Sequence, residues 1–268
     1  MPNRLAFKIA RYVFPLAMLA VLSSRGSFNH HVVHAAGPPG VKNILLVHGA
    51  WADGSSWDKV IARLDADGYN VTAVQLPLSS LTEDVAVLNR ALAREDGPTL
   101  LVGHSYGGVV ITEAGIDPKV AGLVYVSAFA PDEGESALSL SNNVPPTSVT
   151  ANFVPDSAGM LKISSAGIAA DFAQDLPPRE QAILAATQGP VSAPNALAAN
   201  VSYAAWKHLP TWYAVASNDR VIAPSLEVTM ARRMNAKTIV LRSGHLLILS
   251  HSEEVSELVE KAASSLNQ

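Results

Sequence analysis

The chain has 268 residues, of which 49% are hydrophobic and 16% are charged, and its formal net charge is −4. This length and composition are typical of one large or two small well-packed globular domains, and they argue against a disordered protein. The body of the chain has no basic cluster, which argues against nucleic-acid binding. The chain also contains no cysteine, which excludes disulfides, thiolate catalysis and cysteine-ligated zinc.

The first 36 residues have the pattern of an export signal. Basic residues at positions 4, 8 and 11 precede an apolar run, 12–22, that is too short for a comfortable membrane span. Compact residues then lead to an expected cleavage site after Ala35 or Ala36. We expect a signal peptide over 1–36, a secreted or periplasmic mature protein, and no stable membrane insertion once the signal is removed. An uncleaved amino-terminal anchor is the alternative.

From residue 41 onward, apolar runs alternate with amphipathic stretches. Short continuous apolar runs predict buried strands over 44–47, 71–74, 99–102, 120–129, 212–216 and 238–241. Apolar residues at helical spacing, flanked by residues that start or end helices, predict helices over 56–65, 81–94, 109–114, 178–188, 224–234 and 253–266. Continuous apolar strands separated by helices predict an α/β fold whose mostly parallel sheet of about six strands has helices on both faces.

The segment Gly103-His104-Ser105-Tyr106-Gly107 lies between the third predicted strand and a predicted helix. It has the G-x-S-x-G pattern of a nucleophile elbow, in which a sharp turn exposes the serine oxygen and the glycines leave room for the turn. A serine hydroxyl needs such geometry and a neighbouring base to become a nucleophile. We therefore interpret Ser105 as the nucleophile. The alternative is a glycine-rich turn that only lets a helix and a strand pack closely.

The alternating pattern breaks between residues 131 and 206, a stretch rich in Pro, Ser, Asn and Ala. A long insertion in a compact α/β domain is usually functional rather than a bare loop. The aromatic residues Phe153, Phe172 and Trp206 indicate that this insertion buries something. We predict a cap over the site, and a flexible surface excursion is the alternative.

Two residues that could activate Ser105 follow the last two predicted strands. His245 follows the last strand, and a neutral imidazole there can take the serine proton and return it to the leaving group. Asp219 follows the preceding strand, where a carboxylate can hold the imidazole tautomer, although it could also simply cap its turn. Asp132 and Glu133 are rival acids. The chain order Ser, Asp, His favours Asp219.

An oxyanion hole needs two backbone N–H groups aimed at the developing negative charge. The elbow predicts one donor at Tyr106, and the loop after the first strand predicts the other at Ala50. His48 and His104, beside glycine turns, are expected to be structural or pocket-lining. An apolar or aromatic substrate pocket would be lined by Trp51, Phe129, Phe153 and Trp206.

In this order, four segments resemble the α/β-hydrolase superfamily over nearly all of the chain from residue 41. They are Leu46-Val47-His48-Gly49-Ala50-Trp51, Gly103-His104-Ser105-Tyr106-Gly107-Gly108, Ser217-Asn218-Asp219-Arg220 and Gly244-His245. The chain is similar to small carboxylesterases related to plant methyl esterases and hydroxynitrile lyases. The resemblance implies an α/β-hydrolase domain over 37–268 with a cap insertion at about 131–206. It also implies a Ser105–His245–Asp219 triad, an oxyanion hole at Ala50 and Tyr106, and neither cofactor nor metal.

Two positions separate the esterase and lyase branches of this resemblance. The lyases carry a threonine where this chain has Gly49, and a lysine after the catalytic histidine where this chain has Leu246. Both departures favour ester hydrolysis over cyanohydrin cleavage. The expected function is a secreted serine hydrolase that cleaves a small-molecule ester through an acyl-enzyme. The alternatives are a cofactor-free lyase and a non-catalytic small-molecule binding protein on the same fold.

Overall fold

A computed structural model describes residues 38–266, so the predicted signal over 1–36 lies outside the described residues. The central sheet contains β1 (Asn43–Val47), β2 (Asn70–Val74), β3 (Thr99–His104), β4 (Val120–Val126), β8 (Thr211–Ala216) and β9 (Lys237–Leu241). Its strands are all parallel and lie in the order β2-β1-β3-β4-β8-β9. The predicted sheet of six parallel strands is therefore confirmed.

Helices cover both faces of this sheet, as the apolar strands require. The helices that contact it are α1 (Asp58–Ala66), α2 (Leu81–Leu92), α3 (Gly107–Ala114), α7 (Pro224–Arg233), α8 (Leu247–Ser250) and α9 (Ser252–Ser264). Helices α2, α3 and α7 pack on one face, and α1, α8 and α9 pack on the other. The inner strands β1, β3 and β8 are buried along their whole length because both of their faces are covered.

The predicted and observed boundaries differ by a few residues, and two of the differences have clear local reasons. The strand predicted over 120–129 ends at Val126 because Ser127 adopts a positive φ of 37°, which an extended strand cannot accommodate. The helix predicted over 56–65 begins two residues late, at Asp58. The preceding residues Gly54–Trp57 form a 3₁₀ turn, and the Asp53 side chain caps that turn.

The insertion, residues 131–206, lies between β4 and β8 and holds a small antiparallel sheet that the sequence pattern did not predict. Its strands are β5 (Phe153–Pro155), β6 (Met160–Ile163) and β7 (Val191–Ser192). Its helices are α4 (Ala137–Ser141), α5 (Ser165–Gly167) and α6 (Pro178–Thr187). The strands went unpredicted because they have only two to four residues, too few for a periodic pattern.

The insertion is attached to the loop that follows β1. The indole N–H of Trp51 donates a hydrogen bond of 2.9 Å to the Leu161 carbonyl oxygen in β6.

No helix within residues 38–266 is long and apolar enough to span a lipid bilayer.

Candidate active site

Ser105 lies at the sharp turn between β3 and α3, with a φ of 54° in the left-handed region. Its backbone is held there because its N–H donates to the Val126 carbonyl and its carbonyl accepts from the N–H groups of Gly108 and Phe129. A Cβ on Gly107 would lie 2.3 Å from the Val47 carbonyl oxygen. Only glycine therefore lets α3 start this close to the sheet, and the turn has the backbone of a nucleophile elbow.

His245 and Asp219 meet above the carboxyl ends of β8 and β9. Nδ1 of His245 lies 2.6 Å from Oδ2 of Asp219, and both side chains are fully buried. Oδ1 of Asp219 accepts the backbone N–H groups of Val221 and Ile222 at 2.6 and 3.0 Å. Because an ionised carboxylate can only accept hydrogen bonds, His245 carries its proton on Nδ1. Nε2 remains an acceptor, and it is buried with no hydrogen-bond partner among the described residues.

Two buried side chains hold the backbone of His245. Its carbonyl oxygen accepts hydrogen bonds from Nε2 of His104 at 3.0 Å and from the Ser127 hydroxyl at 2.9 Å. Burial keeps the pKa of His104 well below its ordinary value, so this ring stays neutral. His48 is likewise structural, since its Nε2 accepts the Leu76 N–H at 2.9 Å. Neither ring lines the cavity beside Ser105.

Two side chains of the insertion form hydrogen bonds with the loops that carry His245 and Asp219. Asp175 accepts the backbone N–H of Gly244 at 2.8 Å and the Ser243 hydroxyl at 2.9 Å. Its neighbour Gln174 donates to the Asn218 carbonyl at 3.0 Å. Neither residue is predictable from the sequence, because no motif links them to loops that are far away along the chain.

The two predicted oxyanion donors lie beside Ser105. Ala50 and Tyr106 line the same cavity as the serine. Within residues 38–266, neither of their backbone N–H groups donates a hydrogen bond. The adjacent Trp51 has a φ of 59°, which turns the loop sharply after Ala50. Neither N–H group is therefore committed to another acceptor, as an oxyanion hole requires.

An apolar cavity of about 370 Å³ opens beside Ser105. Of the residues predicted to line a pocket, Trp51, Phe129 and Phe153 do line it. The Trp51 and Phe153 rings stack with their centroids 5.4 Å apart. The remaining wall comes mainly from the insertion, between positions 137 and 153. No charged side chain is among the lining residues.

Trp206 does not line this cavity, which corrects the prediction made for it. Its indole N–H donates to the Pro131 carbonyl at 2.8 Å. Its ring is contacted by the cationic groups of Lys207 and Arg233. A buried indole needs an acceptor for its N–H, and Trp206 finds one where the insertion leaves the sheet.

The rival acids Asp132 and Glu133 pair with a lysine and not with His245. Both form ion pairs with Lys207, and all three side chains are partly exposed to solvent.

Across residues 38–266, no group of three or more His, Asp or Glu side chains could hold a metal ion.

Asp84 on α2 holds the Tyr106 side chain through a hydrogen bond. The sequence did not predict Asp84 as a residue of the site. Its carboxylate accepts the Tyr106 hydroxyl and the Leu78 N–H, both at 2.9 Å. Leu78 has a φ of 58°, so Asp84 also stabilises a strained turn. Burial raises the pKa of Asp84 to about 6.

The raised pKa of Asp84 predicts a pH-dependent stability. Between its ordinary pKa and about 6, the folded protein binds the Asp84 proton more tightly than the unfolded chain does. The free energy of unfolding should therefore fall as the pH rises through this window, by about 1–2 kcal/mol. Asp84→Asn should remove this fall, as measured by urea unfolding at several pH values, whereas Asp65→Asn at an exposed site should retain it. An identical slope in wild type and Asp84→Asn would contradict the prediction.

Comparisons with known proteins identify the family of this chain. Residues 44–258 match the model of the alpha/beta hydrolase family. The chain is 37% identical to a carbendazim hydrolyzing esterase from Nocardioides over 126 residues, 42% of this chain and 52% of that enzyme. It thus spans about half of that relative's length. It is also 36% identical to Methylesterase 7 of Arabidopsis thaliana over 107 residues, 34% of this chain and 41% of the relative.

A solved structure supports the fold. The crystal structure of a pyrethroid hydrolase from Sphingobium faniae superposes with a TM-score of 0.70 at 22% identity, over 84% of this chain and 98% of the other. The family match covers most of the chain, including the elbow and the strands that carry His245 and Asp219. The chain belongs to the alpha/beta hydrolase family, in which it is similar to the plant methylesterases.

Proposed function

We propose that this protein is a serine carboxylesterase that cleaves neutral, apolar esters through an acyl-enzyme. The observation that carries this proposal is the buried 2.6 Å His245–Asp219 pair together with a strained Ser105 that lines an apolar cavity. The relatives named as esterases support the same chemistry.

The residues have distinct roles in the proposed reaction. Ser105 Oγ attacks the ester carbonyl carbon while Nε2 of His245 takes its proton, and Asp219 stabilises the resulting imidazolium. The backbone N–H groups of Ala50 and Tyr106 bind the oxyanion. His245 then protonates the leaving alcohol. Water, deprotonated by His245, attacks the acyl-enzyme to release the acid and restore the Ser105 hydroxyl.

The uncharged lining of the cavity favours the binding of neutral substrates. Its walls are apolar or uncharged, with Trp51, Phe129 and Phe153 beside the reacting centre. A carboxylate or ammonium group bound there would lose its hydration without gaining a partner, which costs several kcal/mol. In this proposal the insertion acts as a cap that supplies most of the apolar wall.

Two esters of similar length test this substrate class. We expect kcat/KM for p-nitrophenyl butyrate to exceed that for p-nitrophenyl hemisuccinate by about 100-fold or more, because only the second ester brings a charge into the cavity. The rates with hydroxide alone correct for the intrinsic reactivity of the two esters. Equal kcat/KM values would contradict the neutral-substrate proposal. Failure of the folded protein to hydrolyse the neutral ester would favour a lyase or a binding protein.

Gly49 sits against the proposed nucleophile and offers a second test. A Cβ at this position would lie 2.5 Å from Ser105 Cβ and 3.0 Å from the His104 carbonyl oxygen. Gly49→Ala should displace Ser105 and lower kcat for p-nitrophenyl butyrate by about 100-fold, the order expected for a 1 Å misplacement. Gly189→Ala is the matched control, since its Cβ would have no neighbour within 4 Å. Wild-type kcat in Gly49→Ala would contradict this account of the elbow.

We further propose that residues 1–36 direct export and are removed, so that the enzyme is secreted or periplasmic. The support is the basic and apolar sequence pattern of this segment. Amino-terminal sequencing of the exported protein should find a start at Ala36 or Gly37. An intact amino terminus in the membrane fraction would instead show an uncleaved anchor.

A further inference from the structure

Glu227 on α7 is a fully buried carboxyl group for which the proposed reaction has no role. Its Oε2 accepts the backbone N–H of Ala216, at the end of β8, at 3.0 Å. Its Oε1 is buried and accepts no N–H or hydroxyl from any described residue. None of the ion pairs formed within residues 38–266 includes Glu227. A negative charge on this side chain would therefore be buried with little compensation.

Glu227 and Asp219 lie at the same turn. The N–H of Ala216 donates to Glu227 and the carbonyl of Ala216 accepts the N–H of Asp219, so the two carboxyl groups are close enough to interact. Two ionised carboxylates have no proton to share and repel each other, so a hydrogen bond between them requires one to be neutral. Tyr213 is the other titratable group nearby, and its hydroxyl is already committed to the Ala128 carbonyl.

The hydrogen-bond donors around each carboxyl group decide which one keeps the proton. Asp219 accepts two backbone N–H groups on Oδ1, from Val221 and Ile222, and its Oδ2 lies 2.6 Å from Nδ1 of His245. Glu227 accepts one, from Ala216. Because donors stabilise the ionised form, the negative charge belongs on Asp219 and the proton on Glu227.

We infer that Glu227 is a neutral carboxylic acid that donates a hydrogen bond to Asp219 and serves as a positioning residue for the Asp219–His245 pair. The positioning role rests on the proposed esterase function. Burial first, and Asp219 second, hold the pKa of Glu227 well above its ordinary value, in agreement with this state. The hydrogen-bonded series then runs from Glu227 through Asp219 to His245, and links α7 to the proposed base.

Infrared spectroscopy tests the protonation state without any turnover. At pH 7 the wild-type protein should show the carbonyl stretch of a protonated carboxylic acid, and Glu227→Gln should lack it. Ser105→Ala should retain the band, which makes it the control for loss of activity alone. Absence of the band from the wild-type protein would overturn the inference. Because this readout needs no substrate, it stays decisive even if the protein hydrolyses no ester.

Kinetics of two variants test the positioning role. Gln at 227 keeps an acceptor for the Ala216 N–H and a donor for Asp219, so its kcat and pH profile should match wild type within about threefold. Met has a similar size but no donor, and Glu227→Met should lower kcat by about 10- to 100-fold, the effect of losing a hydrogen bond to a charged group. KM should change little in either variant.

Three kinetic results would overturn the positioning role. The first is a Glu227→Met variant that folds and keeps wild-type kcat, and the second is a Glu227→Gln variant as impaired as Glu227→Met. The third is a displaced acid limb in the pH profile of Glu227→Gln, which would show that the wild-type residue carries a charge that Gln removes. Should Glu227→Met fail to fold, the infrared band and the pH profile of Glu227→Gln still test whether Glu227 is a neutral acid.

Discussion

Ser105→Ala should lower kcat/KM for p-nitrophenyl butyrate by about 10⁵-fold to 10⁶-fold, the loss expected when the nucleophile of a serine hydrolase is removed. Only the Oγ atom is lost in this variant. The backbone of residue 105 is held by hydrogen bonds to Val126, Gly108 and Phe129, and alanine can make the same ones. The variant should therefore fold, unfold at the wild-type temperature, and still bind the ester.

A buried serine away from the cavity gives the matched control. Ser256 on α9 is fully buried, and its hydroxyl donates to the Ser252 carbonyl. Ser256→Ala should keep wild-type kcat/KM. Hydrolysis by Ser105→Ala at a rate near that of wild type would place the nucleophile elsewhere and contradict the proposed mechanism.

Asp219→Asn should lower kcat by about 10⁴-fold while leaving the fold unchanged. The backbone N–H groups of Val221 and Ile222 require an oxygen at the Oδ1 position. The new amide must then turn its NH₂ group toward His245, which forces Nδ1 to accept and leaves the ring proton on Nε2. A protonated Nε2 cannot take the Ser105 proton, so the base is lost although its position is kept.

Measuring kcat for the matching variant of Asp132 tests whether that rival acid, and not Asp219, orients His245. Asp132 pairs with Lys207 at the surface, and Asp132→Asn should keep kcat within about threefold of wild type. The pH profile of kcat measured on both variants reports whether the base has changed. A large loss in Asp132→Asn beside an active Asp219→Asn would contradict the assignment of the acid.

Local sequence patterns determined the sheet and the elbow. The inner strands are covered on both faces, so each must be a continuous apolar run that is visible without knowing its neighbours. The turn at Ser105 brings helix and strand too close for any side chain at Gly107. The spacing of the glycines in the sequence therefore predicts this sharp turn without knowledge of the rest of the fold. His245 and Asp219 could be proposed because parallel strands bring their carboxyl ends to one edge of the sheet.

Only the tertiary structure decided how that edge is supported and enclosed. Asp84 on α2 contacts Tyr106, Asp175 in the insertion contacts Gly244, and Glu227 on α7 contacts Ala216. Trp206 turned out to satisfy its N–H at the base of the insertion instead of facing the cavity. Each of these contacts joins residues that are distant along the chain or lack a distinctive motif. A periodic pattern records which face of an element is buried, whereas the partner that a buried polar group finds depends on packing in three dimensions.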